Sequence, residues 1–352
     1  MFPIDFPLEQ LKLYPATTRV LDPFCGRGTT IYAARLAGLP AVGVDVNPVA
    51  VAIARAKLAK ASLASVVGLA QTLLSEAVGQ IPQGEFWRWC FHPDTLSEIV
   101  TLRQKLLCIN DTPAAELLRA VLLGALHGPR NVGEPSYLSN QMPRTYASKP
   151  DYAVKFWRAR DLKPVRVNTL SVIRRRAERL LTELPPKAGG RVVLGDATTS
   201  IEQMRSKFDL IVTSPPYYAM RTYVSDQWLR TWFVGGPPEV PYTTATVGQI
   251  ALQPNRTAFT SALATTWRVV ARRSHTGAKL VIRFGTLPSA KTDPEKMILA
   301  SLCESAAGWV VRDVCPVQPP AKKNRQASQF RKAGVAVSEV DVTAELVARP
   351  RR

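Results

Sequence analysis

The chain has 352 residues, 46% of them hydrophobic, and 46 Lys and Arg against 27 Asp and Glu give it a net charge of +19 and a pI near 10.1. This length and apolar content exclude a mainly disordered chain and suit one large domain, or one core with a large insert. The charge favours a polyanionic partner, because each phosphate neutralised releases condensed counterions, and five cysteines without a CxxC pair beside only three histidines argue against a zinc site or a disulfide framework.

Met1 to Gln10 carries two acids and no apolar run, so no secretory leader is expected. No stretch approaches the roughly 18 apolar residues of a membrane-spanning helix. The expectation is a soluble protein of a reducing, cytoplasmic compartment, of bacterial or archaeal type. Arg19 to Phe24 reads as a short buried strand running into a glycine turn, and Thr29 to Gly38 as a helix ended by glycine. Pro40 to Asp45 is a second buried strand, and Asn47 to Ala61 an alanine-rich helix opened by Asn47 and Pro48. Strand, helix, strand, helix is the start of a doubly wound sheet. The rhythm then stops. Residues 62–128 read mostly as helices, 129–169 as loop, and Asn168 to Leu184 as a helix with a basic run at Arg174, Arg175 and Arg176. Strands resume at Arg191 to Leu194 and Phe208 to Val212, followed by a helix over Ala258 to Ala271 and strands at Lys279 to Phe284 and Trp309 to Val314. Beyond Gln318 the chain is basic and weakly patterned. The expected organisation is an α/β core over 1–61 and 186–317, a helical and loop insert over 62–185, and a basic tail over 318–352.

Between the first strand and first helix lies Asp22-Pro23-Phe24-Cys25-Gly26-Arg27-Gly28-Thr29-Thr30. Glycines at 26 and 28 remove side chains where a ligand must approach the backbone. No third glycine follows at dinucleotide spacing. The run resembles the AdoMet-binding loop of amino-methylating DNA methyltransferases, whose hallmark is acid-Pro-Phe-x-Gly-x-Gly-Thr-Thr. The resemblance implies a Rossmann-like class I methyltransferase core and S-adenosyl-L-methionine as cofactor. It makes Asp22, Pro23, Phe24, Cys25, Gly26, Gly28, Thr29 and Thr30 cofactor-loop residues. Asp45 ends the second strand 17 residues after Gly28, where an acid can accept bonds from both ribose hydroxyls; Val46 and Asn47 continue that turn. The bland alternative for Asp45 is capping the next helix. Gly195-Asp196-Ala197 follows the third strand; the resemblance puts Asp196 at the adenine amino group and Ala197 beside the ring, and simple turn formation is the alternative.

The segment Phe208-Asp209-Leu210-Ile211-Val212-Thr213-Ser214-Pro215-Pro216-Tyr217-Tyr218 carries the second motif. Two prolines fix φ and remove donors, leaving a rigid turn at a strand end. Such a turn suits an exocyclic amine, whose hydrogens need acceptors while its nitrogen attacks a methyl group. Ser214 and the Pro215 carbonyl are the natural acceptors, Pro216 stiffens the turn, and Tyr217 offers a face for a flipped base. Ser in the first position resembles the N4-cytosine members of the family; Asp or Asn there is the commoner N6-adenine form, and some Ser-type enzymes act on adenine. The resemblance covers residues 19–60 and 190–315. The methionine-end segment that precedes the loop in the family has only Phe2-Pro3 and Phe6-Pro7 as candidates here.

The expected partner is double-stranded DNA, with a cognate restriction endonuclease as a further possibility and no metal. Basic residues interleaved with aromatics over Asn131 to Arg160 suit phosphate contacts and stacking, with Arg144, Tyr146, Lys149, Lys155 and Arg158 as candidates beside Tyr137, Tyr152, Phe156 and Trp157. A solvated basic surface over an aromatic mini-core is the alternative. The stretch Tyr137 to Tyr146 resembles a segment of the family's relatives expected to fold over the active site. Arg221, in a loop region over Tyr218 to Thr257, and Lys322, Lys323 and Arg325 in the tail complete the candidates. RNA or protein-glutamine methylation keeps the fold and changes the substrate. A non-catalytic nucleic-acid-binding module would instead show damage in Gly26, Gly28, Asp45 or Ser214, and all four are intact.

Overall fold

The computed structural model describes residues 2–76, 79–128, 133–140, 150–182, 185, 188–218, 227–240, 250–286, 292–317 and 339–347. In chain order they form α1 (Asp5–Leu11), β1 (Val20–Asp22), α2 (Thr29–Leu36), β2 (Ala41–Asp45) and α3 (Pro48–Ala56), then a helical run. That run is α4 (Leu63–Leu74), α5 (Glu85–Cys90), α6 (Pro93–Cys108), α7 (Pro113–Ala125), α8 (Pro150–Arg158) and α9 (Thr169–Leu181). The chain continues with β3 (Gly190–Leu194), α10 (Ala197–Glu202), β4 (Phe208–Thr213), α11 (Trp228–Phe233), α12 (Arg256–Arg272), β5 (Ser274–Gly285), α13 (Pro294–Ser305), β6 (Trp309–Val317) and β7 (Glu339–Leu346). Two compact units result. One comprises Met1–Leu58, Pro186–Arg221 and Ala245–Arg352; the other Ala59–Pro185 and Thr222–Thr244.

The first unit holds a seven-stranded sheet in the order β3-β2-β1-β4-β5-β7-β6. All pairs are parallel except those made by β7, which runs antiparallel between β5 and β6. This is a Rossmann-like α/β core, doubly wound and mostly parallel. Alternation along each strand feeds two apolar layers. Leu21, Phe208, Ile211, Leu280 and Ile282 face α10, α12 and α13, where Trp267 and Phe259 are fully buried. Val20, Leu210, Val212 and Val281 face α1, α2 and α3 through Leu11, Ile31, Ala33 and Ala54. The helices start where capping chemistry dictates: the side chains of Asn47, Asp196, Asn255 and Asp293 each accept from backbone N–H groups of the following turn.

Three expectations need correction. Residues 339–346 are not tail. Val340, Val342, Ala344 and Leu346 are buried at every second position, and the strand bonds to two neighbours. Residues 150–158, read as loop, form α8, with Ala153, Val154 and Trp157 turned inward at helical spacing. The loop read after the proline turn contains α11, whose Trp228, Leu229, Trp232 and Phe233 are buried, and it belongs to the helical unit. There Trp87, Trp228, Trp232 and Phe86 pack ring against ring, with centroids 4.6–5.7 Å apart. Arg230 spends its Nε–H on the Leu123 carbonyl at the end of α7. His127 is buried beside Arg230 with neither ring nitrogen bonded among the described residues, and burial pushes its pKa down to about 3, so the ring is neutral. Among the described residues no helix is long and apolar enough to cross a membrane.

Candidate functional site

The sheet order reverses between β1 and β4, which lie side by side and parallel, with Leu21 opposite Ile211. Ligands of open α/β sheets bind outside the carboxyl ends of strands at such a switch point. Both sequence motifs leave from these two ends: the glycine loop follows Asp22 and the proline turn follows Thr213.

A buried hydrogen bond ties the two loops together. Asp22, 1% exposed, accepts from the Thr213 hydroxyl at 2.6 Å and from the Phe24 N–H at 3.1 Å. Thr30 donates its hydroxyl to the Val212 carbonyl at 3.3 Å, joining α2 to β4. Burial raises the Asp22 pKa to about 6 against the opposing effect of the Thr213, Thr30 and Phe24 hydrogen bonds. Asp22 therefore sits beneath the two loops and serves as a clamp rather than as a group turned outward.

The glycine loop is tied to β2 as well. Cys25 N–H donates to the Val44 carbonyl and Gly26 N–H to Asp45 Oδ2 at 2.9 Å, while Asn47 N–H donates to Asp45 Oδ1 at 2.8 Å. Asp45 is thus neither the cap of α3 nor idle. The cap is Asn47, which accepts from Val49 and Ala50. Burial pushes the Asp45 carboxyl upward, opposed by its two backbone donors. Each carboxylate oxygen keeps a second lone pair for another donor. The two glycines divide their work. Gly28, at φ 73°, would put a Cβ 2.8 Å from the Ala54 Cβ, so it is required by α2–α3 packing. Gly26, at φ 50°, would meet nothing within 4 Å, which is the open cradle a ligand needs.

Pro23 and Cys25 are buried, Phe24 packs edge-on against Trp267 at 6.1 Å, and Thr29 and Thr30 open α2. Cys25 is shielded and its thiol is pushed well up by burial, which removes it as a nucleophile. Val46 is half-buried in the turn after β2. Asp196 caps α10 through Oδ1, which accepts from Thr198 N–H at 2.8 Å and Thr199 N–H at 3.3 Å, and Ala197 is buried. On the proline turn, Pro215 is buried, while Ser214, Pro216 and Tyr217 are half-buried. The Tyr217 hydroxyl donates to Glu339 Oε1 at 2.8 Å. Among the described residues no cluster of three or more His, Cys, Asp or Glu could hold a metal ion.

No family model matches the chain, and no curated protein matches it. Solved structures similar to it include TrmN from Thermus thermophilus (11% identity, 97% of this chain and 48% of that one, TM-score 0.37). Others are the rRNA methyltransferase aviRa from Streptomyces viridochromogenes (12% identity, 98% and 86%, TM-score 0.35) and a modification subunit of a proposed type I restriction enzyme from Vibrio vulnificus (8% identity, 99% and 45%, TM-score 0.36). The chain spans about half the length of the TrmN structure. These are likenesses of outline, and the functional reading rests on the geometry of this chain's own loops.

Of the residues expected to contact nucleic acid, only Lys155 and Arg158 are described, both on α8. Arg144, Tyr146, Lys149, Arg221, Lys322, Lys323 and Arg325 lie outside the described residues. Lys155 is exposed on α8. Arg158 is ion-paired with Glu85 and lies 6.0 Å over the Trp89 ring. Trp157 is fully buried and belongs to the core, so it cannot stack on a base; Tyr152 is 53% exposed. Phe2 and Phe6, the candidates for a methionine-end segment, pack edge to face at 5.4 Å, and the Arg283 guanidinium lies 3.8 Å over the Phe6 ring. Sequence reasoning missed Thr213, Lys57 and Glu339. Lys57 Nζ reaches the Gly28 carbonyl at 3.4 Å from α3's end, and burial lowers its pKa to about 8. The spacing of Thr213 inside an apolar strand was a usable signal; nothing local marked Lys57.

Proposed function

We propose that the protein is an S-adenosylmethionine-dependent DNA methyltransferase acting on an exocyclic amino group, cytosine N4 in preference to adenine N6. One observation carries this reading. The glycine loop and the Ser-Pro-Pro-Tyr turn leave neighbouring strand ends at the switch point and are joined by the Asp22–Thr213 hydrogen bond. Cofactor and base sites would then share one rigid wall. The residues present fit the cofactor. Gly26 leaves space above the loop, and Asp45 offers lone pairs for a ribose diol. Asp196, beyond its capping role, and Ala197 stand at the end of β3, beside β2 in the sheet.

Bound AdoMet would supply an electrophilic methyl group. The chain's own residues would do the rest by position and electrostatics. Ser214 Oγ and the Pro215 carbonyl would accept the amine's two hydrogens, leaving its lone pair directed at the methyl carbon and stabilising the nitrogen as it becomes positive. Tyr217 would receive the extruded base on its ring. No covalent intermediate with a cysteine is needed, in keeping with the buried Cys25. The net charge of +19 supports duplex DNA as the partner.

The test is methylation of a mixed-sequence duplex library with isotopically labelled AdoMet, followed by nucleoside identification. The expected product is N4-methylcytosine, with turnover lost in Ser214→Ala while AdoMet affinity is retained. Label in N6-methyladenine would move the base assignment. Label only in RNA, protein or a small molecule would overturn DNA as substrate.

A further inference from the structure

Tyr217 closes the proline turn, yet its hydroxyl is not left to solvent. It donates at 2.8 Å to Oε1 of Glu339, a residue 122 positions further along the chain. Glu339 opens β7 and pairs there with Gly285, the last residue of β5. Gly285 stands between the two partners. A Cβ at this position would lie 3.0 Å from Tyr217 Cζ and Oη and 2.8 Å from Glu339 Cγ, so the missing side chain is what lets phenol and carboxylate meet. The ring is also braced along its edge by Phe284, at 6.2 Å between centroids and 83° between planes. Phe284 is fully buried and tilts against Phe259, which in turn takes the ring of Tyr218 at 5.4 Å.

A stacking platform needs only a ring, and phenylalanine would supply one. The hydroxyl adds a charge-assisted hydrogen bond, which is stronger and more directional than a neutral one. Prolines hold the backbone of the turn, Phe284 holds the ring's edge and Glu339 its far end, so the free rotation about Cα–Cβ and Cβ–Cγ is removed before any base arrives. We propose that Glu339 is a positioning residue for base methylation: through the Tyr217 hydroxyl it fixes the ring in the orientation that receives the extruded base, and Gly285 exists to permit that bond. The inference rests on the function proposed above. It gives the antiparallel strand a part in the chemistry, since β7 brings the carboxylate to the turn.

The test uses the full chain and four variants: Tyr217→Phe, Glu339→Ala, Glu339→Gln and the double variant Tyr217→Phe/Glu339→Ala. Methylation of duplex DNA is read as kcat and KM, AdoMet affinity by calorimetry, and the ring directly from the fluorine resonance of meta-fluorotyrosine that disappears in Tyr217→Phe. Tyr217→Phe and Glu339→Ala should each lower kcat by about tenfold or more, the scale of a misplaced reacting geometry. AdoMet affinity should be unchanged. The double variant should be no worse than the worse single one, since each removes the same bond, and Glu339→Gln, which keeps an acceptor oxygen, should recover part of the loss. Additive losses, or full turnover in both single variants, would overturn the proposal. So would a fluorine resonance that Glu339→Ala leaves in place. A wild-type chain that methylates no duplex would instead sink the functional reading, and the resonance would still report whether the bond exists.

Discussion

Asp22 offers the sharpest test of how the two loops are held. Its carboxyl is fully buried and its pKa stands at about 6, against an ordinary value of 3.8. The folded chain therefore binds this proton more tightly than the unfolded chain. The group's contribution to stability is complete below about pH 4 and is lost as pH rises through about 6. At 1.36 kcal/mol per pKa unit the loss is about 3 kcal/mol. Asp22→Asn keeps an oxygen that can accept from Thr213 and Phe24 but cannot ionise. The variant should match the wild type near pH 4 and become more stable by about 3 kcal/mol at pH 8, because the pKa of about 6 already includes the hydrogen bonds from Thr213 and Phe24. Urea unfolding at half-unit steps of pH measures the difference directly. His127 titrates with the opposite sign: its lowered pKa means stability present above its ordinary value of 6.5 and lost as pH falls toward about 3. Both chains share it, so it cancels in the comparison. Two parallel curves from pH 4 to pH 8 would refute the reasoning, because an exposed or fully compensated carboxylate gives no divergence.

The remaining expectations concern single residues. Asp45→Ala should weaken AdoMet binding by about 1–3 kcal/mol by calorimetry, whereas Asp45→Asn, which can still accept from Gly26 or Asn47, should lose less; equal losses would leave the ribose assignment unsupported. Gly28→Ala, with a backbone at φ 73° and a contact 2.8 Å from Ala54 Cβ, should cost about 2–4 kcal/mol in urea unfolding, combining strain and overpacking. Gly26→Ala meets only the backbone term of about 1–2 kcal/mol, and its larger effect should fall on AdoMet affinity. Trp157→Ala should destabilise the helical unit by about 3–5 kcal/mol through its cavity, with Lys155→Ala instead leaving stability intact and reducing the salt slope of DNA binding by about 0.9 if it touches one phosphate.

The doubly wound core was legible because its strands are short apolar runs closed by glycine, proline or an acid. Phe208 to Val212, expected as a strand, is β4, and Arg191 to Leu194 lies in β3. Both motifs fall at strand ends, as their composition implied. β7 escaped for a different reason. Glu339 to Leu346 alternates apolar and polar residues at every step, a period-two signal as clear as any in the chain. It follows a long basic, weakly patterned stretch, whose composition points to a tail and outweighs eight residues of alternation. For Trp157 the sequence leaves two readings open, a stacking ring or part of an aromatic mini-core, and α8 decides for the second by turning it inward with Ala153 and Val154.

By itself the sequence determined the fold class, the order of the two motifs and the chemical type of each loop, because hydrophobic period, proline geometry and glycine placement act over a few residues. Tertiary structure alone decided which groups meet. The Asp22–Thr213 bond spans 191 residues and the Tyr217–Glu339 bond 122. Strand pairing creates both, β1 against β4 and β7 against β5. Gly26 and Gly28 are alike on the page, and only the packing of α2 against α3 makes one a structural necessity and leaves the other facing open space. Such distinctions depend on distances between elements, and local sequence sets none of them.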